Sequence, residues 1–121
     1  MLEVENVTVH YGDIQALWDI SFRVADGEIV SLIGSNGAGK TTILKTIAGI
    51  LRPTKGSVSI GGIRANVIKA HQIVELGVSM VPEGRKLFRD MPVRENLEMG
   101  GFIARARPKQ AAALKWVHSL F

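Results

Sequence analysis

The chain has 121 residues, of which 46% are hydrophobic and 21% charged, so it can fold as one domain or as part of a larger one and is not disordered. It contains no cysteine, which excludes disulfides and thiolate metal sites and fits a reducing compartment. No apolar run approaches the roughly 18 residues of a transmembrane helix, and Met1-Leu2-Glu3 does not begin a signal peptide. We therefore expect a soluble intracellular protein.

The net charge of +4 is unevenly distributed. Residues 1–84 carry seven Lys or Arg and eight Asp or Glu, whereas residues 85–121 carry eight and three. A basic C-terminal segment can face nucleic acid, anionic lipid or an acidic partner, although a solvated helical face is the more ordinary interpretation.

The first third of the chain has the patterns of strands. Apolar residues recur between positions 2 and 11, where Asn6 breaks the alternation and indicates a turn. Residues 20–24 alternate apolar and polar, and the turn signal at 25–27 predicts that they form a hairpin with the segment that follows. Residues 29–33 are almost continuously apolar, which predicts a central parallel strand buried on both faces.

The remaining elements alternate between helices and short strands. Residues 41–50 predict a helix whose buried face is formed by Ile43, Leu44, Ile47 and Ala48. Further along the chain the patterns predict a strand at 58–60, a helix from 67 that ends at Gly77, a strand at 78–81, a loop at 83–92, and helices from Val93 to about Ala104 and from Pro108 onward.

The most informative segment is residues 34–41, GSNGAGKT, which matches the pattern G-x-x-x-x-G-K-[ST]. Glycines let such a loop wrap around a phosphate with its N–H groups pointing inward, and the following helix adds its positive dipole end. Lys40 would supply an ammonium to the β- and γ-phosphates, Thr41 a hydroxyl ligand for Mg²⁺, and Thr42 a further donor. The segment therefore predicts a nucleotide-phosphate site.

Two more residues are candidates for this site. Tyr11, the only tyrosine, could stack on a base or could equally cover the edge of a strand. Glu83 follows the predicted strand 78–81, where phosphoryl-transfer sites hold a metal-binding acid, or it is an exposed loop acid beside Arg85. The residues alone leave both questions open.

Four motifs in order give the chain a resemblance to a known family. They are Tyr11-Gly12, GSNGAGKTT at 34–42, VPEGRKLF at 81–88 and MPVRENL at 91–97. Together they resemble the ATP-binding subunit of an ABC transporter, and the run from 81 to 97 is similar to the branched-chain amino acid importers of bacteria. The resemblance covers essentially the whole chain.

The resemblance implies a role for each matching residue. Tyr11 falls on the A-loop aromatic that stacks on adenine, and Glu83 falls on the Q-loop position, where most relatives carry glutamine that reaches Mg²⁺ and the attacking water. The implied catalytic and metal-binding residue is thus Glu83, with Thr41 as a second metal ligand. The implied ATP-binding residues are Tyr11, Gly34, Ser35, Asn36, Gly37, Ala38, Gly39, Lys40, Thr41 and Thr42.

The resemblance also implies the fold. It is the α/β P-loop NTPase core of ABC type, truncated, with an N-terminal antiparallel β subdomain. Residues 1–85 would form the nucleotide-binding core and residues 86–121 the start of the α-helical subdomain. No signature sequence, Walker B strand or switch histidine occurs in the chain, so we expect residues 1–121 alone to be inactive as an ATPase.

The resemblance finally implies a function and partners. The parent protein would energise the import of branched-chain or related amino acids at the inner face of the bacterial plasma membrane. Its partners would be permease subunits, a second ATP-binding subunit in a head-to-tail dimer and, indirectly, a periplasmic binding protein. The alternatives are a nucleotide-binding fragment without hydrolysis and a soluble ABC ATPase that acts on nucleic acid, for which the basic C-terminal segment is the only support.

Overall fold

The computed structural model describes residues 1–84 and 86–120. These residues form two compact units, and the division falls between Met80 and Val81. The sequence predicted a boundary five residues later, after position 85. The identity of the second unit as the start of a helical subdomain stays a prediction.

The first unit is built on a four-stranded sheet in the order β2-β1-β3-β4, in which every neighbouring pair is antiparallel. The strands are β1 (Leu2–Tyr11), β2 (Ile14–Val24), β3 (Lys55–Ile60) and β4 (Ile63–Arg64). Strand β1 is central, since Val4 pairs with Phe22 on one side and with Val58 on the other. The predicted antiparallel β subdomain is therefore confirmed.

Asn6 lies in a bulge of β1 and not in a turn between strands. Its φ of 49° is left-handed, and the register of β1 shifts on both sides of the sheet near this residue. One extra residue in a strand exchanges the faces of everything beyond it. Because of this shift, Val4, Val7 and Val9 all point into the core, where each is at most 1% exposed.

The helices of the first unit cover this core. Helix α1 (Lys40–Ile47) buries Thr42, Ile43 and Thr46, and helix α2 (Ala70–Ile73) buries Ile73 before a 3₁₀ turn ends at Gly77. The prediction that Leu44 lies on the buried face of α1 was wrong, since it is 47% exposed. The buried face of α1 is instead rotated toward Thr42 and Thr46. The Thr42 hydroxyl lies 3.5 Å from the Tyr11 hydroxyl, and the Thr46 hydroxyl donates to the Thr42 carbonyl.

Three predictions about strands were also wrong. Residues 29–33 and 78–81 form no β ladder, and Ile29 and Ile33 are each 95% exposed. The hairpin is formed by β1 and β2 around Gly12, not across the turn at 25–27. The reason is that a parallel central strand needs hydrogen-bonding neighbours on both edges, and none of the described strands lies beside either segment.

The second unit is helical. Helix α3 (Val93–Gly100) starts after Pro92 and ends before the predicted Ala104, because Gly100-Gly101 terminates it, and helix α4 (Gln110–Leu120) follows a 3₁₀ turn. The side chain of Gln110 donates to the Glu98 carbonyl at 2.7 Å and so joins the two helices. Within the described residues no helix is both long and apolar enough to cross a bilayer.

The bulge in β1 lies so close to Gly56 of β3 that this position has no room for a side chain. This glycine has φ +79°, and a Cβ at this position would lie 2.3 Å from the carbonyl oxygen of Glu5. We expect Gly56→Ala to lower the free energy of unfolding by about 3 kcal/mol, from left-handed strain plus overpacking. Urea denaturation at an unchanged m value would measure the loss.

Gly62 provides the matched control. Its φ of +80° is almost the same, but nothing lies within 4 Å of an added Cβ. Gly62→Ala should therefore cost only the backbone strain, about 1 kcal/mol. Equal losses for the two variants would contradict the close approach of β3 to the bulge.

Candidate functional site

The loop between residues 34 and 39 leads directly into helix α1. Gly37 and Gly39 adopt φ values of 86° and 85°, a conformation that strains any residue with a side chain. The N–H of Ala38 donates to the carbonyl of Ser35 at 3.2 Å, which closes a turn inside the loop. The loop therefore has the curled backbone that a phosphate cradle requires.

The start of α1 supplies further donors. The N–H of Ile43 donates to the Gly39 carbonyl at 2.9 Å and makes the first intrahelical bond. The N–H groups of residues 40–42 come before this bond, so they have no carbonyl acceptor within the helix. They lie at the positive end of the helix dipole, where an anion is favoured.

Lys40 reaches back over the loop. Its Nζ donates to the carbonyls of Gly34 at 2.7 Å and Ser35 at 2.6 Å. The ammonium is thus held beside the same backbone that would surround a phosphate. Charged phosphate oxygens are stronger hydrogen-bond acceptors for an ammonium than carbonyl oxygens. A bound phosphate can therefore replace the two carbonyls as the partner of Lys40.

The two threonines after Lys40 differ in exposure. Thr41 is exposed, and its hydroxyl is accessible as a ligand for Mg²⁺. Thr42 is only 9% exposed, and its side chain lies under Tyr11. Among the described residues no group of three or more His, Asp or Glu side chains could hold a metal, so a magnesium ion here would depend on Thr41 together with the oxygens of a phosphate.

Tyr11 lies near the phosphate loop, as a base-stacking residue must. It is the last residue of β1 and is 45% exposed, and its hydroxyl oxygen lies 3.5 Å from that of Thr42. The structure therefore brings together two residues separated by 31 positions in the sequence. The exposed part of the ring is available to a ligand.

Leu17 is a residue of this site that the sequence did not indicate. It is 4% exposed, and its Cδ2 lies 2.5 Å from the position that a Cβ on Gly39 would occupy. The β1–β2 hairpin therefore packs directly against the last glycine of the loop. No spacing or motif marks Leu17, since it reads in the sequence as an ordinary apolar strand residue.

Glu83 lies in the second compact unit, which begins at Val81. It is exposed and follows Pro82 in a bend. Its predicted role beside Mg²⁺ stays a prediction.

The chain is similar to known proteins over most of its length. The family described as "ABC transporter" matches residues 17–120. The chain is 45% identical over 102 residues to the high-affinity branched-chain amino acid transport ATP-binding protein BraG of Pseudomonas aeruginosa, covering 84% of this chain and 44% of that protein. It is 34% identical over 116 residues to the ribose import ATP-binding protein RbsA 2 of Rhizobium meliloti, covering 96% of this chain and 22% of that protein.

Solved structures give the same result. The ATP-binding subunit of an ABC transporter matches with a TM-score of 0.71 at 34% identity, covering 84% of this chain and 41% of that one. The dimeric structure of MJ0796, described as a bacterial ABC transporter cassette, matches with a TM-score of 0.77 at 27% identity, covering 95% and 55%.

The chain spans less than half the length of these two curated relatives. The family nevertheless matches from β2 to the end of α4, and the phosphate loop lies inside the matched range. The chain therefore belongs to the ABC transporter family, as the resemblance implied, and has the fold of its ATP-binding subunits.

Proposed function

We propose that the chain is the N-terminal part of an ATP-binding subunit that energises import of branched-chain or related amino acids into bacteria. The observation that carries the proposal is the phosphate loop. Its glycines adopt left-handed φ values, the Lys40 ammonium lies on the loop backbone, and helix α1 begins directly after it. The 45% identity to a branched-chain amino acid transport protein supports the substrate class.

The residues would share the work of holding ATP. The N–H groups of residues 37–42 and the Lys40 ammonium would bind the phosphates, and the exposed Tyr11 ring would stack on adenine. Thr41 would hold Mg²⁺, which neutralises phosphate charge when bound, and Glu83 would be the second metal-binding residue, as the resemblance implies. Membership of the family implies that the protein binds ATP. The assignment of Thr41 and Glu83 as magnesium ligands is part of this proposal.

Hydrolysis and transport would belong to the longer parent protein. We assign it to the inner face of the plasma membrane, with permease subunits, a second ATP-binding subunit arranged head to tail, and a periplasmic binding protein as direct or indirect partners. Residues 1–121 alone should bind ATP with negligible release of phosphate, because no Walker B sequence or signature occurs among them.

The role of Lys40 in phosphate binding can be tested by substitution. Lys40→Ala removes the charge that bridges the loop, so we expect the Kd for Mg-ATP to rise at least about 30-fold, equivalent to about 2 kcal/mol for a charge-assisted contact. Isothermal titration of the full chain with Mg-ATP would measure it. Lys45→Ala, in the same helix, is the control and should change the Kd less than about twofold, because Lys45 lies in the last turn of α1, more than one turn beyond Lys40.

An equal effect of the two lysine variants would show that general positive charge, and not the loop, attracts the nucleotide. Unchanged binding by Lys40→Ala, with the fold intact by circular dichroism, would overturn the assignment of the site.

The class of transported substrate can be tested with chimaeric proteins. We expect a chimaera in which residues 1–121 replace the matching part of the Pseudomonas aeruginosa branched-chain protein to restore leucine uptake to a strain that lacks it. The same replacement in the Rhizobium meliloti ribose protein should restore ribose uptake poorly, since its identity to the chain is 34% against 45%. Uptake of radiolabelled leucine and ribose at equal expression would measure both.

Ribose uptake at the level of the native ribose protein, with no leucine uptake, would contradict the substrate class. Loss of leucine uptake in the leucine chimaera carrying Lys40→Ala is the expected negative control.

A further inference from the structure

The contact between Tyr11 and Thr42 links the two ends of the proposed nucleotide site. The hydroxyl oxygens are 3.5 Å apart, at the long end of hydrogen-bond distance, and either can be the donor. Tyr11 is 45% exposed, whereas Thr42 is 9% exposed. The tyrosine is thus the accessible partner and the threonine the buried one.

Thr42 is held firmly by its own helix. Its side chain is β-branched, which restricts χ1 in a helix, and its carbonyl accepts a hydrogen bond from the Thr46 hydroxyl at 2.8 Å. The next residue, Ile43, is 4% exposed and belongs to the hydrophobic core. The backbone of Thr42 is therefore restrained relative to the phosphate loop, and its side chain is buried beside it.

Tyr11 has fewer restraints of its own. It ends β1, and Gly12, with φ 58°, turns the chain directly after it. Leu17 packs the hairpin backbone against Gly39, which places Tyr11 near the start of α1. The hydroxyl contact with Thr42 then gives the half-exposed ring a polar partner on α1.

We propose that Thr42 is a positioning residue whose side-chain hydroxyl orients the Tyr11 ring for the base, while its backbone N–H serves the phosphates. The inference rests on the proposed function, since it takes Tyr11 as the base platform. It changes the role expected for Thr42, because a hydroxyl buried under the tyrosine serves the base end of the site. It also couples base recognition to the geometry of α1.

The test compares Thr42→Val, which removes the hydroxyl at nearly constant volume, with Thr42→Ser, which keeps it. Affinities of the full chain are measured for Mg-ATP and for magnesium tripolyphosphate, and their ratio reports the contribution of adenine and ribose together. We expect Thr42→Val and Tyr11→Phe each to lower this ratio about three- to fivefold, and the double variant no further, since both remove one hydrogen bond. Thr42→Ser should restore the ratio.

A second readout does not need a ligand. Tyr11 is the only tyrosine, so its labelled ring gives a single set of NMR signals. Thr42→Val should shift these signals and Thr42→Ser should leave them close to those of the unmodified chain. Thr8→Val is the matched control, because it removes another buried threonine hydroxyl, 8% exposed, whose hydrogen-bond partner is the Asp19 N–H and neither Tyr11 nor Thr42.

The outcomes separate the two proposals. Unshifted ring signals in Thr42→Val, or shifted signals with an unchanged affinity ratio, would overturn the positioning role. Equal affinity ratios for Thr42→Val and Thr8→Val would show a merely structural effect and overturn it as well. A ring shift in a chain that binds neither ligand would retain the contact but overturn both the proposed function and the role in base recognition.

Discussion

The close approach of the β1–β2 hairpin to the last glycine of the phosphate loop is the constraint on which the site depends. Leu17 occupies the space that a side chain at position 39 would need, and the φ of +85° at Gly39 lets the backbone turn into α1 beneath it. Because loop and hairpin touch here, Tyr11 arrives within hydrogen-bond distance of Thr42. A small contact between an aliphatic side chain and a glycine thereby brings Tyr11 close to the start of α1.

The sheet adapts to this arrangement through the bulge at Asn6. The bulge is stabilised by the Asn6 side chain, which donates to Asp19 at 2.9 Å across the hairpin. Without the extra residue, Val7 and Val9 would face away from Val4, and β1 would lose half of its core face. The glycine opposite, Gly56, gives β3 the room to follow.

Sequence reasoning succeeded where structure is decided locally. The loop at 34–41 and the helix after it follow from a motif whose glycines and helix start are neighbours in the chain. It failed at 29–33, because a run of apolar residues becomes a strand only where other strands supply its hydrogen bonds, and the described strands do not. It also missed Leu17, since a contact with a glycine 22 positions away leaves no periodic signal.

We propose that the backbone of residues 37–42 forms the phosphate site and that the hairpin packs against it. Titration of the full chain with Mg-ATP, followed by amide chemical shifts, measures which residues the nucleotide contacts. We expect the largest changes on residues 37–42 and on Tyr11, with smaller ones on Leu17. Saturable binding whose largest changes fall in α3 and α4, with residues 37–42 unaffected, would contradict it.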